Sequence, residues 1–179
     1  KSGRKREDIL LLAVSKTVDA ERIKEAVELG LVDLGENKPQ EINRKYFEIE
    51  NVRWHQIGHL QTNKVKYIID KVCLIHSVDS MKLAEEINKR AAAKGIVMDV
   101  LVEINIAGEE AKHGVPLNEA ETLAVEISSL ENVRVKGLMT VAPFVEDPEE
   151  NRKYFRQMKN LFVDIDKKSY NNIDMEYLS

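Results

Sequence analysis

The chain has 179 residues, 43% of them hydrophobic, so it has the length and apolar content of one domain, residues 1–179, with a substantial buried core. Its 27 lysines and arginines are outnumbered by 31 aspartates and glutamates, and this net charge of −4 argues against nucleic acid or an acidic membrane surface as the main partner. The single cysteine cannot form a disulfide within the chain, and no apolar run reaches the roughly 18 residues that span a bilayer. We therefore expect a cytoplasmic protein without a membrane segment.

The first predicted element is a strand. Residues 9–14 are continuously apolar instead of alternating, which is typical of a strand that is buried on both faces in a parallel sheet. Asp19 is then a suitable N-cap for a helix whose apolar residues recur at spacings of three and four, and Gly30 follows its end. A strand followed by a helix is thus the first unit of the chain.

The same unit recurs along the rest of the chain. In chain order, the pattern predicts a strand at 31–34, a helix at 39–49, a strand at 52–57, a short helix at 63–69, a strand at 72–77, a helix that starts after Asp79 or Ser80 and ends at Gly95, a strand at 97–104, a helix opened by Pro116, a strand at 133–139, a helix opened by Pro148 with Phe155, Met158, Phe162 and Ile165 facing inward, and a strand at 173–178. No two strands are joined by a hairpin turn, so the predicted sheet is parallel throughout.

The repeat fits two architectures, an eight-stranded barrel and an open doubly wound sheet. A Gly-x-Gly-x-x-Gly sequence, which a dinucleotide-binding open sheet carries after its first strand, does not occur at that position. We therefore predict an α/β fold of the (β/α)8 TIM-barrel type. Seven strands are predicted, and we expect the first helix and the eighth βα unit of such a barrel to be missing from this sequence.

The functional face of such a barrel lies at the carboxyl ends of its strands. The residues at these ends form a polar ring with one cation, in chain order Ser15-Lys16-Thr17, Gly35-Glu36-Asn37, Gly58-His59, Ser77, Asn105, Met139-Thr140 and Ser179. An uncharged lysine amine at this place can attack an aldehyde. Lys16 is equally consistent with an ordinary strand-end lysine that reaches water. The residues alone thus predict a barrel with a lysine at its mouth, and they do not name the ligand.

Other residues of the ring also leave alternatives open. Asn37 fits a turn position after a glycine, and Met139 fits ordinary core packing. His55 and His59 have a spacing that metal sites use, but no third ligand lies near them in the sequence, so we predict no metal site. Lys112 and His113 lie in a polar segment, for which a solvated, mobile loop is the ordinary interpretation.

Four segments of the sequence, in the same order, resemble one family. They are AVSKT at 13–17, GENKPQE at 35–41, WHQIGHLQTNK at 54–64 and GLMTVAP at 137–143. Together they are similar to the pyridoxal phosphate homeostasis protein family, whose barrel resembles the N-terminal domain of alanine racemase. The resemblance extends over the whole chain.

The resemblance implies a cofactor and a set of residues that bind it. Lys16 matches the lysine that forms an internal aldimine, a Schiff base, with pyridoxal 5'-phosphate (PLP). Asn37, His59 and Met139 match positions that line the cofactor pocket. Ser179 resembles the first serine of a segment that in the family continues into a last strand and helps to hold the phosphate and the pyridine ring.

The resemblance also implies a role in PLP homeostasis, as a carrier or buffer of the cofactor without turnover of its own. PLP-dependent apoenzymes are the expected recipients, and a monomer is the expected state. The alternative is an amino-acid racemase, but alanine racemases take their second base, a tyrosine, from a further domain for which 179 residues leave no room. A third alternative, a sugar-phosphate isomerase, needs a base opposite Lys16, and Glu36 is the only acidic residue in the ring.

Overall fold

A computed structural model of the protein describes residues 3–179. They form one seven-stranded sheet in which the strands neighbour each other in chain order and every pair is parallel. The strands are β1 (Ala13–Val14), β2 (Asp33–Glu36), β3 (Arg53–Gln56), β4 (Val72–Val78), β5 (Met98–Glu103), β6 (Val133–Met139) and β7 (Ile173–Leu178). The α-helices are α1 (Ala20–Glu28), α2 (Pro39–Tyr46), α3 (Met81–Lys94), α4 (Ala120–Ser128) and α5 (Arg152–Lys167). The predicted βα repeat with parallel pairing is thereby confirmed.

The helix ends follow the local signals in the sequence. The side chain of Asp19 accepts a hydrogen bond of 2.9 Å from the backbone N–H of Arg22, so it caps α1 as predicted. Gly95 ends α3 with a φ of 66°, a left-handed conformation that glycine adopts without a steric penalty. The connection between β3 and β4 is a 3₁₀ helix, Thr62–Tyr67, where the pattern predicted a short helix.

The main core lies between the sheet and the helices. It includes Trp54 and Val100 from the sheet and Ile42, Ile87 and Ile127 from the helices, all nearly or fully buried. Burial of one such side chain stabilises the fold by about 1.5–3 kcal/mol, so this layer dominates the stability. A smaller cluster lies on the opposite face of the strands, where Leu74, Leu101 and Met139 pack with Tyr177 inside the barrel.

The predicted extent of the first strand is wrong. β1 has two residues, and Ile9, Leu10 and Leu11 are 48%, 42% and 59% exposed. The reason is tertiary: β1 pairs with β2 on one side, and no strand among residues 3–179 pairs with its other edge. An apolar run that would be buried between two neighbours therefore remains uncovered on one side.

Three further expectations need correction at the helices. Two helices begin later than their prolines: α4 begins at Ala120 rather than Pro116, and a 3₁₀ turn at Pro148–Asn151 precedes α5. Phe155 is 53% exposed, whereas Met158, Phe162 and Ile165 are buried as predicted. Phe155 lies in the first turn of α5, and residues 146–150, which precede this helix, are themselves exposed. The described part of the chain contains no helix that is both long and apolar enough to cross a bilayer.

One glycine brings the last strand into position. Gly137 in β6 has a φ of +147°, and a Cβ atom built on it would lie 1.8 Å from the carbonyl oxygen of Tyr177 in β7. Only a residue without a side chain permits this approach of the two backbones. The approach sets the place of β7 and of Ser179, which follows it.

Candidate functional site

The structure places all five predicted site residues at one end of the sheet. Lys16 lies just beyond β1, Asn37 directly after β2 and His59 just beyond β3. Met139 is the last residue of β6, and Ser179 directly follows β7. Because the strands are parallel and neighbour each other in order, these positions share the carboxyl-end face, which we call the mouth.

Lys16 is exposed at the mouth, and its side chain takes part in none of the hydrogen bonds or ion pairs that join the described residues. Its neighbour Ser15 is buried and strongly held. The backbone N–H of Ser15 donates to the carbonyl oxygen of Gly35 at 3.0 Å, and the Ser15 carbonyl oxygen accepts from Lys45 Nζ at 2.7 Å. Lys16 therefore leaves the sheet from a fixed point with its amine free.

A buried ion pair lies beneath this point. Lys45 Nζ is 2.6 Å from Glu36 Oε1, and both side chains are 0% exposed. The Ser15 hydroxyl donates to the same carboxylate oxygen at 2.9 Å. Glu36 is thus a structural anion without access to the mouth, which rules out its suggested role as a base opposite Lys16. The burial of Lys45 was not predicted from the sequence, although its place between Ile42 and Ile49, at spacings of three and four residues, indicates a buried face.

Two loops at the mouth are tied together around Asn37 and Gly58. Gln56 Nε2 donates to the carbonyl oxygens of Asn37 and Gly58 at 2.9 and 2.8 Å, and the hydroxyl of Ser77 donates to that of Gly58 at 2.7 Å. A Cβ atom on Gly58 would lie 2.6 Å from the Asn37 carbonyl oxygen. The close approach fixes the backbone on which Asn37 and His59 are carried.

A chain of hydrogen bonds crosses the barrel interior and ends at the mouth. Arg53 binds Asp33 with two nitrogens, at 2.8 and 2.7 Å, and Asp33 Oδ1 lies 3.0 Å from His55 Nε2. His55 Nδ1 lies 3.0 Å from His76 Nε2, and His76 Nδ1 lies 3.1 Å from the hydroxyl oxygen of Ser179. Five side chains from β2, β3, β4 and the end of β7 are thereby linked.

The protonation of this chain follows from burial and charge. Burial by itself opposes ionisation of Asp33, but hydrogen bonds from Arg53 and His55 outweigh it and hold the pKa of Asp33 below its ordinary value. Burial lowers the pKa of His55, in spite of the opposing hydrogen bond to Asp33. Burial, with the nearby His55, lowers the pKa of His76 to about 3. At neutral pH the carboxylate is charged and both imidazoles are neutral.

These protonation states give the chain one direction. The Asp33 carboxylate only accepts, so His55 donates its Nε2 proton to it and its Nδ1 must accept. His76 then donates from Nε2 to His55, and its Nδ1 accepts the hydroxyl proton of Ser179. The Ser179 oxygen is left with its lone pairs for any group at the mouth. The roles of Asp33 and His76 were not predicted from the sequence. The four-residue spacing of His55 and His59 does not bring the two side chains together, because His55 is buried in the interior and His59 is exposed.

The predicted solvated loop around Lys112 is in fact braced. Lys112 Nζ donates to the carbonyl oxygens of Val141 and Ala142 at 3.2 and 3.1 Å, which joins the β5–α4 loop to the loop after β6. The ring of His113 stacks on that of His59, with the centroids 3.7 Å apart and an angle of 10° between the planes.

A carboxylate at the end of β5, that of Glu103, has a raised pKa. Burial is the larger cause and the charge of Asp79 the smaller, and together they raise the pKa of Glu103 to about 7.

A cleft of about 400 Å³ lies between the segment before β1 and β7. His76 and Ser179 contribute to its walls, together with Leu10, Leu12 and Met175. The Ser179 end of the hydrogen-bonded chain therefore meets open space, while the Arg53 side chain at its other end is 58% exposed.

The parallel βα units are those of a barrel, and similarity to known proteins assigns it to the alanine racemase N-terminal type. The family model "Alanine racemase, N-terminal domain" matches residues 6–177. The structure of alanine racemase from Clostridium difficile 630 in complex with cycloserine superimposes with a TM-score of 0.79 over 95% of this chain and 48% of that one, at 20% identity, which establishes a common fold.

Proteins of higher sequence identity show to which family with this fold the chain belongs. The pyridoxal phosphate homeostasis protein of Aquifex aeolicus (strain VF5) is 44% identical over 181 residues, covering 100% of this chain and 78% of the relative. That of Escherichia coli (strain K12) is 35% identical over 162 residues, covering 88% and 67%. PipY of Synechococcus elongatus PCC7942, in its structure with PLP bound, has a TM-score of 0.83 at 28% identity, covering 93% and 78%. The chain belongs to the pyridoxal phosphate homeostasis protein family.

Proposed function

We propose that this protein binds PLP through a reversible covalent bond to Lys16 and acts as a carrier or buffer of the cofactor, without turnover of a substrate. One observation carries the proposal: Lys16 is an exposed lysine at the mouth whose amine has no partner among residues 3–179. The buried lysines are committed elsewhere, Lys45 to Glu36 and Lys136 to Asp174 and Glu176. Family membership and the PLP-bound structure of PipY support the same choice of ligand.

The residues around Lys16 suit this task. A lysine amine adds to an aldehyde with loss of water, and water reverses the reaction, so the bond stores a reactive aldehyde without consuming it. The fixed carbonyl of Ser15 holds the base of the Lys16 side chain in place. Asn37, His59 and Ser179 are the proposed polar contacts, and Met139, which is 5% exposed, belongs to the floor beneath them.

The absorption spectrum tests this binding. Added PLP should give wild-type protein a new absorption band, which the Lys16→Ala variant should lack. Lys38→Ala is the matched control, because Lys38 is also exposed at the mouth, directly after Asn37; this variant should keep the band. Borohydride should make the adduct permanent, and peptide mapping should then find it on Lys16. A wild-type protein without a band, or an adduct on another lysine, would overturn the assignment.

Tyr177, the tyrosine of β7, is a poor candidate for the second base of a racemase. A racemase needs a second base, and Tyr177 packs with Met139 inside the barrel. Its hydrogen bond to Glu176 and its burial raise its pKa to about 12, so it keeps its proton at neutral pH. Chiral chromatography of L-alanine after incubation with the PLP-loaded protein should detect no D-alanine. Sustained inversion at roughly 1 to 1,000 per second would contradict the carrier role.

Release of the cofactor is the second part of the role. The proposed recipients are PLP-dependent apoenzymes. Loaded protein should restore the activity of an apoenzyme, while borohydride-reduced protein, in which the bond cannot reverse, should not. Equal recovery with reduced protein would show that the covalent store is not the source.

A further inference from the structure

Three potential metal ligands from three different loops meet at the mouth. His59 follows β3, Asp79 follows β4 and His113 lies in the β5–α4 loop. His59 Nδ1 is 3.6 Å from Asp79 Oδ2, and one ligand atom from each residue lies within 4.8 Å of the other two. Ligands that share a tetrahedral zinc ion at about 2.0–2.1 Å lie roughly 3.4 Å apart. The cluster therefore needs a contraction of at most about 1.4 Å along any edge, and the stacked rings of His59 and His113 must rotate so that a nitrogen of each faces the ion.

We propose that His59, Asp79 and His113 bind a divalent transition-metal cation of the zinc class. Two imidazoles and one carboxylate are a ligand set that such ions use when a further position stays open. The two histidines are exposed and Asp79 is partly exposed, so an ion from solution reaches them without opening the fold. This site does not include Lys16 and does not depend on the covalent bond proposed there; of the proposed PLP contacts it shares only His59.

The carboxylate of Asp79 is oriented by its neighbour. The hydroxyl of Ser80 donates to Asp79 Oδ1 at 3.2 Å, which leaves Oδ2 to face His59. Hydrogen bonds of this kind to metal-binding carboxylates fix their direction, and their loss weakens metal binding about 10- to 100-fold. On the other side, the Gly58 carbonyl accepts from Gln56 and from Ser77, so the backbone before His59 is held from two directions.

The loop that carries His113 is organised around Asn105. The Asn105 amide donates to the carbonyl oxygens of Glu109 and Lys112 at 2.8 and 3.2 Å, and its oxygen accepts from the Glu109 N–H at 3.1 Å. Gly114 has a φ of +105°, and a Cβ atom there would lie 2.6 Å from the Asn105 backbone nitrogen. The turn after His113 thus requires glycine, and the loop presents His113 in a defined place.

A second, independent observation points to a cation at this place. Glu103 lies on β5 at the same end, 8% exposed, and its Oε2 has no hydrogen-bond partner within residues 3–179. An unpartnered buried carboxylate oxygen is unfavourable, and a cation bound at the same end of the sheet offsets this cost.

Titration of the full chain with Zn²⁺ or Co²⁺ alone, followed by calorimetry, tests the proposal. Wild type should bind one equivalent, and bound Co²⁺ should show the visible absorption of a tetrahedral site. Asp79→Asn and His113→Gln should each weaken binding at least tenfold, and Ser80→Ala should weaken it about 10-fold or more. Glu110→Gln, an exposed acid on the same loop, is the matched control and should bind as wild type does. Thermal unfolding by circular dichroism should show all variants folded.

The metal titration is carried out without PLP, so its outcome can be distinguished from that of the PLP-binding test. Lys16→Ala should keep the metal affinity of wild type while losing the PLP band. Wild-type protein that binds neither ion, or Asp79→Asn and His113→Gln variants that bind as tightly as wild type, would overturn the metal site. Neither result would touch the assignment of Lys16.

Discussion

Lys45→Met tests how the mouth is held together. The substitution keeps an unbranched apolar stem and removes the ammonium group that lies 2.6 Å from Glu36 and 2.7 Å from the Ser15 carbonyl oxygen. Glu36 is then a fully buried carboxylate that keeps a single hydrogen bond, from Ser15, and its Oε2 already has no partner among the described residues.

The expected loss of stability is large. Removing one partner of a buried ion pair costs about 3–5 kcal/mol, because the other charge stays buried and uncompensated. Domains of this size have a free energy of unfolding of about 5–15 kcal/mol, so the variant loses about a fifth or more of it. At about 2–4 °C per kcal/mol, the melting temperature should fall by roughly 6–20 °C.

Urea unfolding followed by circular dichroism measures this loss. The double variant Lys45→Met/Glu36→Gln removes both charges and keeps an acceptor for Ser15, so it should be more stable than Lys45→Met alone. Arg44→Met is the control. Arg44 is the neighbour of Lys45 in the chain and forms an exposed ion pair with Glu41, so this substitution should change the urea midpoint little. A loss below about 1 kcal/mol for Lys45→Met, or a double variant no more stable than the single one, would refute the reasoning.

Three further predictions concern the interior and the backbone. Stability should fall as the pH drops from about 6.5 towards 3, because folding keeps His76 neutral with a pKa of about 3, whereas an unfolded histidine takes up its proton near 6.5. Urea midpoints at pH 7 and pH 5 measure this, and His76→Gln should reduce the difference between them; an unchanged difference would contradict the role of His76. Nitrogen NMR at neutral pH should find Nε2 protonated in both His55 and His76, and an Nδ1-protonated form of either would reverse the inferred direction of the chain. Gly137→Ala should prevent normal pairing of β6 and β7, because its Cβ would lie 1.8 Å from the Tyr177 carbonyl oxygen. The control is Gly95→Ala, which has open space around its Cβ and should cost only about 1–2 kcal/mol of stability for its left-handed φ. Similar unfolding curves for the two variants would argue against the close approach of the two strands.

The sequence predicted the fold well where the signal is local. Continuous apolar runs, helix caps and the absence of hairpin turns are properties of adjacent residues, and they led to seven parallel strands with helices between them. The positions of Lys16, Asn37 and His59 at the mouth followed directly, since parallel strands bring their carboxyl ends to one face. The resemblance of four motifs then named a family that the chain's relatives bear out.

The prediction failed where the outcome depends on a distant partner. Residues 9–11 have the composition of a buried strand, and they are exposed because the described chain has no strand on that side of β1. Glu36 belongs to the polar ring by position and is buried because Lys45 reaches across from α2. Hydrophobic periodicity reports which face a residue occupies, and it says nothing about which side chain lies opposite.

The sequence by itself therefore determined the order of elements, the parallel pairing and the position of Lys16 at a strand end, since each of these rests on spacings of a few residues. Tertiary structure alone decided what surrounds that lysine. His76 meets Ser179 across 103 positions of the chain, and Lys45 meets Ser15 across 30. His59 joins Asp79 and His113 only because three loops end at the same mouth. Contacts of this kind form when the sheet curves and brings remote strands together, and no local pattern carries that information.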